Sequence, residues 1–360
     1  MKLVSTVISL LLAAQLWAQL TPANKQQLQK IEDSLQVHGQ TMVQGDNVAA
    51  RFYADSTFIK MLVRALKTPY SFYYPFDSLV TISKLTPPDS SFRIFTWQLE
   101  RNENSYRQRG AIQMNTKDGS LQLYPLLDMS DFTTNPTDSI RTATNWIGAI
   151  YYNIIQDTIN KKKVYTLLGY DANNFATTKK WIEILTFSPD GKPVFGGAQF
   201  NYALDELKPK QPAYRFLLEY KKEAKVRLTY DEELKLIVFD HLISETNEPS
   251  KRKTLVPDGD YEAFMWRKGT WVHIPKLFNQ KIDMRGVDPL LGNAPMDASI
   301  RDAKGNLNDQ KLQEISKRNM EKAAAEKKAA EEKAKKIQRE KEQVEQQKKL
   351  RRPDPQQREY

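Results

Sequence analysis

The chain has 360 residues, of which 40% are hydrophobic, 27% charged and 10% aromatic, and its formal net charge is +10. The aromatic content excludes wholesale disorder, because a disordered chain lacks the apolar side chains whose burial offsets the loss of chain entropy. With no cysteine and three histidines, the sequence excludes disulfides, thiolate metal sites and cysteine nucleophiles, and it leaves little room for multi-histidine metal chemistry.

The first segment has the pattern of a secretory signal peptide. Lys2 precedes an apolar run that extends to Ala14, and Ala18 supplies the small residue expected at a cleavage site. The run is shorter than the ~20 residues that span a bilayer, and no later run is long enough. We therefore expect residues 1–18 to direct export and the mature protein to be extracytoplasmic, either periplasmic or secreted. An uncleaved anchor is the alternative.

Residues 19–69 are predicted to form two helices. Thr21 can cap the first helix, whose apolar stripe stops at Gly39. The second helix is expected to begin near Asp46 and to end before Pro69. We expect both to pack on the main domain, and a groove for a partner is the alternative.

The segment that follows is dense in aromatic side chains. If exposed, these rings could stack on a sugar or a peptide, whereas buried rings add apolar area to a core. Burial is the expected state, and exposure would make the segment a binding surface. The candidate binding residues are Tyr70, Phe72, Tyr73, Tyr74 and Phe76.

Residues 70–278 are predicted to form a mainly β domain. About thirteen segments of strand composition follow one another, separated by turn signals such as Pro-Asp-Gly at 189–191 and 257–259. No helical pattern between them is long enough for the crossover that parallel strands need, which indicates an antiparallel meander. So many strands exceed one flat sheet, and we expect a sandwich, a barrel or a propeller-like arrangement.

The C-terminal part changes composition twice. Residues 279–306 are predicted to be a linker, and residues 307–352 a long charged helix, because they are rich in Lys, Glu, Gln and Ala. Residues 353–360 are expected to be disordered. Apolar residues recur every seven positions in the helix, but a coiled coil needs two per repeat, so a solvated helix is favoured over a coiled-coil dimer.

Most of the net charge lies in that predicted helix. Residues 311–352 contain 15 Lys plus Arg and 8 Glu, a net of +7. Such a helix could contact an envelope protein or an anionic surface, whereas export argues against nucleic acid as a partner. A solubilising tail that binds nothing is the alternative, and the sequence leaves the oligomeric state open.

Candidate catalytic residues lie in apolar strands. The nucleophile elbow, the P-loop, H-E-x-x-H and G-x-G-x-x-G are absent, so no cofactor is predicted. Asp240 and His241 are neighbours on one strand, and neighbours point to opposite faces, so they cannot pair. Glu183 and Glu219 could form a carboxylate pair if the fold brings them together. Solvent-facing or edge positions are the default for all four.

Two short segments resemble ion-binding loops. Asp171 and Asn173 match the start of a calcium loop, but Phe175 stands where a third oxygen ligand is needed. Asp258 and Asp260 flank a glycine in a similar way. A turn is favoured over an ion site in both cases, and no metal site is predicted.

Several strand segments carry a resemblance to known sequences, at residues 146–152, 165–171, 180–187, 215–220, 228–231 and 237–242. Together they resemble an uncharacterised family of exported proteins from Bacteroidetes-type bacteria. The resemblance covers roughly residues 70–275. It implies an extracytoplasmic location and carries no known activity or catalytic residue.

These features favour an exported, non-enzymatic binding or structural protein of the cell envelope. The alternative is an extracytoplasmic hydrolase that acts on glycan or peptide through carboxylates or through Asp240 and His241. A cleft with several converging titratable groups would favour the hydrolase, and a flat face with exposed aromatic rings would favour binding.

Overall fold

A computed structural model describes residues 20–102, 105–277 and 317. The chain divides into two units, Met1–His273 and Ile274–Tyr360, and the account below concerns the first. The predicted signal peptide (1–18), most of the linker (279–306), the basic helix (307–352) and the tail (353–360) lie outside the described residues, except that Lys317 is helical. No helix within the described part has the length and apolar character needed to cross a membrane.

Two helices are followed by fifteen strands in the described part of the chain. The helices are α1 (Pro22–Gln44) and α2 (Val48–Leu66). The strands are β1 (Ser83–Leu85), β2 (Phe92–Asn102), β3 (Ser105–Met114), β4 (Leu123–Leu126), β5 (Arg141–Thr142), β6 (Ile150–Ile159), β7 (Lys162–Asp171), β8 (Thr177–Phe187), β9 (Pro193–Phe195), β10 (Phe200–Asn201), β11 (Arg215–Lys221), β12 (Leu228–Asp231), β13 (Leu236–Ser244), β14 (Leu255–Arg267) and β15 (Thr270–Ile274). The mainly β class and the two N-terminal helices are confirmed.

The strands form three sheets. The four-stranded sheet has the order β1-β2-β3-β4, and the five-stranded sheet has the order β10-β15-β14-β13-β12. The six-stranded sheet has the order β5-β9-β8-β7-β6, and its sixth strand, β11, pairs with β8 beyond the point where β9 ends. Strand pairing in the four- and six-stranded sheets is antiparallel, as predicted, whereas β10 pairs parallel with β15.

The first interface between layers joins the helices to the four-stranded sheet. Alternate residues of β2 point to opposite faces. Phe95 and Trp97 pack under the helices, and the Trp97 ring lies edge-on to Phe58 of α2 with ring centroids 5.6 Å apart. Phe92 and Ile94 face the other way and pack on the six-stranded sheet. The four-stranded sheet is therefore sandwiched between helices and strands.

The six-stranded sheet is the middle of three stacked sheets. On its second face, Ile182, Ile184 and Phe216 pack against the five-stranded sheet. Phe216 meets Phe264 of β14 edge-on, with ring centroids 4.9 Å apart. The described domain thus has four layers, one of helices and three of sheet. It is a sandwich with a third sheet added, not a barrel or a propeller.

The prediction that the first helix stops at Gly39 is wrong. The helix α1 continues to Gln44, and Gly39 is buried within it. A Cβ atom at this position would lie 2.5 Å from Thr81 Oγ1. Glycine in a helix interior costs roughly 0.5–1 kcal/mol relative to alanine. Here the close approach of the chain around Thr81 requires it.

The turn predicted at 257–259 is also wrong, because these residues lie inside β14. The register changes from Asp240 opposite Tyr261 to Leu242 opposite Pro257, so β14 has extra residues at this point. Gly259 has a φ of +93°, which favours glycine. A β-bulge therefore absorbs the Pro-Asp-Gly sequence without ending the strand.

We predict that Gly39→Ala stabilises the protein only when Thr81 is truncated. In the Thr81→Ala background the new methyl group fits, so Gly39→Ala should raise the free energy of unfolding by about 0.5–1 kcal/mol through its helix propensity. In the wild-type background the clash with Oγ1 should cancel or reverse that gain. Urea denaturation of the four variants measures the coupling, and an equal effect in both backgrounds would contradict the packing argument.

Candidate functional site

The aromatic segment mainly serves the core. Tyr74 and Phe76 are buried with their rings edge-on, 4.8 Å apart, and Tyr74 donates a hydrogen bond to Glu32 of α1 at 2.5 Å. Tyr70 and Phe72 are half-buried, and Tyr73 alone is exposed. These residues therefore do not form the exposed aromatic surface that would have marked a binding face.

Glu183 and Glu219 are not brought together. Both side chains lie on the same face of the six-stranded sheet, but Glu183 pairs with Arg215, four residues from Glu219 along β11. A strand rises ~3.3 Å per residue, so Glu183 and Glu219 are about 13 Å apart along the strand direction. Glu183 is buried, accepts from Arg215 Nε at 2.7 Å and also accepts from the Tyr151 hydroxyl. Glu183 and Arg215 therefore form a structural ion pair. Glu183 does not form a carboxylate pair with Glu219.

Asp240 and His241 have separate partners on the five-stranded sheet. The Asp240 carboxylate accepts from the Arg227 backbone N–H at 2.6 Å. His241 Nδ1 lies 2.9 Å from Asp258 Oδ2 in the β-bulge. The two side chains do not form a catalytic pair with each other.

A buried charged group lies near His241. Glu262 Oε2 is 2.5 Å from His273 Nε2 and 3.1 Å from Lys208 Nζ. This network was not predicted from the sequence, because His241 and His273 are far apart along the chain. No group of three His, Asp or Glu side chains within the described ranges is arranged to hold a metal ion, and Asp260 lies outside any such group.

A polar cavity of about 230 Å³ lies between the four- and six-stranded sheets. Its walls come from β3, from the ends of β7, β8 and β11, and from the loop at residues 128–136. The polar and charged lining residues include Gln108, Asp128, Asp131, Asp171, Asn173, Lys179, Trp181 and Glu219.

The sheet register builds one wall of this cavity. Lys179 of β8 lies opposite Asp171 of β7 on one side and opposite Glu219 of β11 on the other. Side chains directly opposite each other share a face, with Cβ atoms ~4.5–5.5 Å apart. Asn173 Nδ2 donates to Glu219 Oε1 at 3.3 Å. The cavity therefore brings together three residues that the sequence had suggested for two unrelated sites: Asp171, Asn173 and Glu219.

Asp128 shapes the opposite wall. Its Oδ2 accepts from the Gln108 backbone N–H at 3.0 Å, and its Oδ1 accepts from the Ser130 hydroxyl at 2.6 Å. The Ser130 hydroxyl in turn accepts from the Gly148 backbone N–H at 2.9 Å. These bonds fix the 128–136 loop to β3 and hold the cavity open.

Two residues of the cavity lining each have one polar atom that is inaccessible to solvent and has no hydrogen-bond partner in the described part of the chain. Gln108 Nε2 donates to Asp171 Oδ1 at 2.8 Å, which leaves Gln108 Oε1 as an acceptor with no donor. Trp181 Nε1 is a donor with no acceptor. Each side chain is only 3% exposed. An unsatisfied buried group costs roughly 1–3 kcal/mol, so each needs an explanation.

Burial raises the pKa of the Asp171 carboxyl above its usual value, and the nearby charge of Asp128 raises it further. Asp171 Oδ1 also accepts from the Asn173 backbone N–H at 2.8 Å, which opposes the shift. The carboxyl therefore binds a proton more readily than an exposed aspartate. Beside it, Lys179 is half-buried, so the cavity offers acidic and basic groups together.

Comparison with known proteins found no matching family model, no similar curated protein and no similar solved structure. The candidate site is therefore defined by its geometry alone.

Most of the cavity residues could not be predicted from the sequence. Gln108, Asp128, Lys179 and Trp181 form no motif, and they come from three separate parts of the chain. One usable signal was present: Lys179 and Trp181 alternate along a strand, as residues on one face do. That alternation predicts a shared face but does not identify the facing sheet.

We predict that Asp171→Asn stabilises the protein at neutral pH. The folded-state pKa of Asp171 is raised, so its contribution is favourable at low pH and is lost as pH rises through the folded pKa. Asparagine keeps an acceptor and carries no charge to bury. Urea denaturation from pH 4 to pH 8 should show a stability difference that grows with pH. Asp131→Asn, at an exposed ion pair with Arg101, is the control.

Removing one member of the Glu183–Arg215 pair should destabilise the fold. Arg215→Met leaves a buried carboxylate unpaired, and we expect a loss of about 3–5 kcal/mol in the free energy of unfolding. The double variant Arg215→Met/Glu183→Leu should recover most of that loss. If the double variant is as unstable as the single one, the charge argument fails and Arg215 acts through its packing.

Proposed function

We propose that this chain is an exported, extracytoplasmic binding protein that holds a small polar ligand in the cavity between the four- and six-stranded sheets. The observation that carries the proposal is the polar cavity itself, whose lining brings the carboxylates of Asp128, Asp131, Asp171 and Glu219 together with Lys179. Charged and polar groups that converge on one cavity can orient a polar ligand.

The fixed walls of the cavity also support a binding site. The cavity lies between elements fixed by strand pairing and by the Asp128 hydrogen bonds, so it is largely pre-formed. Export rests on the signal-peptide pattern of residues 1–18. In this proposal the basic segment at 307–352, which the sequence predicts to be helical, adds an electrostatic contact to an anionic surface or an envelope protein.

A hydrolase remains the second candidate, and one observation favours it. Asp171 has a raised pKa beside other carboxylates, which is how general acids are tuned. However, Asp128 and Glu219 are both engaged in hydrogen bonds that hold the local structure. Binding without turnover is therefore the function that the geometry supports best.

Obstructing the cavity tests the proposal. We expect some small polar compounds to bind and thereby to raise the unfolding temperature of the mature protein. A ligand at 100 times its Kd adds about 2.7 kcal/mol to the free energy of unfolding. Thr134→Trp, at an exposed cavity-lining position, should abolish that shift. Thr158→Trp, exposed on β6 and outside the cavity lining, is the matched control and should bind normally.

The same samples separate binding from hydrolysis. Proton NMR of the compound after incubation should show it unchanged if the protein only binds. Conversion that Asp171→Asn abolishes would favour the hydrolase. Thermal shifts that persist in Thr134→Trp would place the ligand elsewhere and overturn the proposed site.

A further inference from the structure

The lining of the polar cavity has an excess of negative charge. Its carboxylates are those of Asp128, Asp131, Asp171 and Glu219. Lys179 is the one cationic residue among the lining residues of the described chain. Asp131 has a counter-charge of its own, because its Oδ2 lies 2.7 Å from Arg101 Nη2. Three carboxylates then remain against one ammonium group, so the cavity favours a cation over an anion or a neutral molecule.

Two of these carboxylates are held by one residue. Gln108 donates its backbone N–H to Asp128 Oδ2 at 3.0 Å and its side-chain Nε2 to Asp171 Oδ1 at 2.8 Å. The two carboxylates are therefore close to each other, and burial together with the charge of Asp128 raises the pKa of the Asp171 carboxyl. Like charges held near each other repel, and a cation that entered the cavity would offset this repulsion.

Asp171 has an oxygen atom that such a cation can reach. The residue is only 7% exposed, and its Oδ1 accepts from Gln108 Nε2 and from the Asn173 backbone N–H. Its Oδ2 accepts from no group in the described part of the chain, and it is not among the unpartnered atoms that are closed off from solvent. Because Asp171 lines the cavity, this oxygen is accessible from the cavity. A carboxylate oxygen in this position is suited to accept a charge-assisted hydrogen bond from an ammonium group.

Glu219 and Lys179 adjust the charge beside this oxygen. Lys179 lies opposite Asp171 on one side and opposite Glu219 on the other, so the three side chains form one row on one face of the sheet. Glu219 adds a second negative charge to that row. The Lys179 ammonium group lies between the two carboxylates and competes with any other cation for them. Loss of the lysine charge and loss of a carboxylate should therefore change cation binding in opposite directions.

The size and the apolar part of the lining limit the rest of the ligand. A cavity of ~150 Å³ holds benzene, so a cavity of 230 Å³ accommodates about six to nine non-hydrogen atoms. Pro136, Ile147 and Leu217 add apolar surface to the lining, which suits a short hydrocarbon chain. No three His, Asp or Glu side chains in the described ranges are arranged to hold a metal ion. The cation that fits is therefore an organic one.

Resting on the proposed function above, we propose that the ligand is a small aliphatic amine in its ammonium form. The ammonium group donates a hydrogen bond to Asp171 Oδ2, and the hydrocarbon chain lies against the apolar part of the lining. Asp128 and Glu219 stabilise the cation through their charge.

Calorimetric titration of the mature protein at low ionic strength tests this inference. The probes share a four-carbon chain: butylamine and putrescine carry ammonium groups, butanediol with a hydroxyl at each end is neutral, and succinate is anionic. We expect both amines to bind. The diol and the dianion should bind at least about tenfold more weakly, because neither offsets the negative charge of the lining.

Three substitutions test the assigned roles by the direction of their effects. Asp171→Asn should weaken amine binding by about tenfold or more, since a charge-assisted hydrogen bond becomes a neutral one. Glu219→Gln should weaken it roughly twofold to fivefold through the lost charge, and Lys179→Gln should strengthen it by a similar factor. A purely structural role would not change sign between these positions.

A matched control and thermal melts keep the test decisive. Glu232→Gln removes the same charge as Glu219→Gln, but it lies in the exposed turn between β12 and β13, outside the cavity lining. It should leave amine binding unchanged. Glu219 and Lys179 are half-buried, so their variants test the inference even if melts show that Asp171→Asn is unfolded.

Each outcome has a distinct meaning. Binding of the diol, of succinate or of another polar compound in preference to the amines, abolished by Thr134→Trp, overturns the amine inference and keeps the proposed function. Amine binding that is insensitive to Asp171, Glu219 and Lys179 overturns the inference as well. Failure of every probe to bind, together with no thermal shift in a wider set of polar compounds, overturns both.

Discussion

The six-stranded sheet is apolar on both faces and must be covered on both. The four-stranded sheet covers one face and the five-stranded sheet covers the other, so this requirement sets the order of the layers. Consecutive residues are buried at 164–169 of β7 and at 181–185 of β8, whereas a sheet with one wet face would alternate. Leu167 and Trp181 pack toward the four-stranded sheet, and Leu168 and Ile182 pack toward the five-stranded sheet. At roughly 25 cal/mol per Å² of buried apolar surface, both covering sheets contribute to stability, and loss of either would expose a large apolar patch.

This coverage divides the polar residues of the middle sheet into two kinds. Near its centre, Glu183 and Arg215 are buried and neutralise each other, because an unpaired charge there would be very costly. At the ends of β7, β8 and β11, the facing sheet no longer fills the space. Asp171 and Glu219 lie at that end and line the cavity. A residue's position along the strand therefore decides whether its charge supports the fold or is available to a ligand.

The sequence was sufficient to predict the class of the secondary-structure elements, but it was not sufficient to predict how the sheets stack. Turn signals and strand composition predicted the antiparallel β class, because these signals are local. Gly39 was wrongly predicted to end the first helix. The position requires glycine because it lies against Thr81, a residue distant along the chain. The site shows the same limit. Asp171, Asn173 and Glu219 were singled out as separate candidates, and only the pairing of β7, β8 and β11 joins them. Gln108 comes from another sheet altogether.

The charged residues of the cavity connect stability to function. Burial raises the pKa of the Asp171 carboxyl, so holding this group ionised in the folded state costs stability. Apolar packing on both faces of the middle sheet offsets that cost. Strand pairing and the Asp128 hydrogen bonds fix the cavity walls, so binding requires little further ordering. The layers that stabilise the middle sheet therefore also allow charged groups to be kept at its end, where a ligand can reach them.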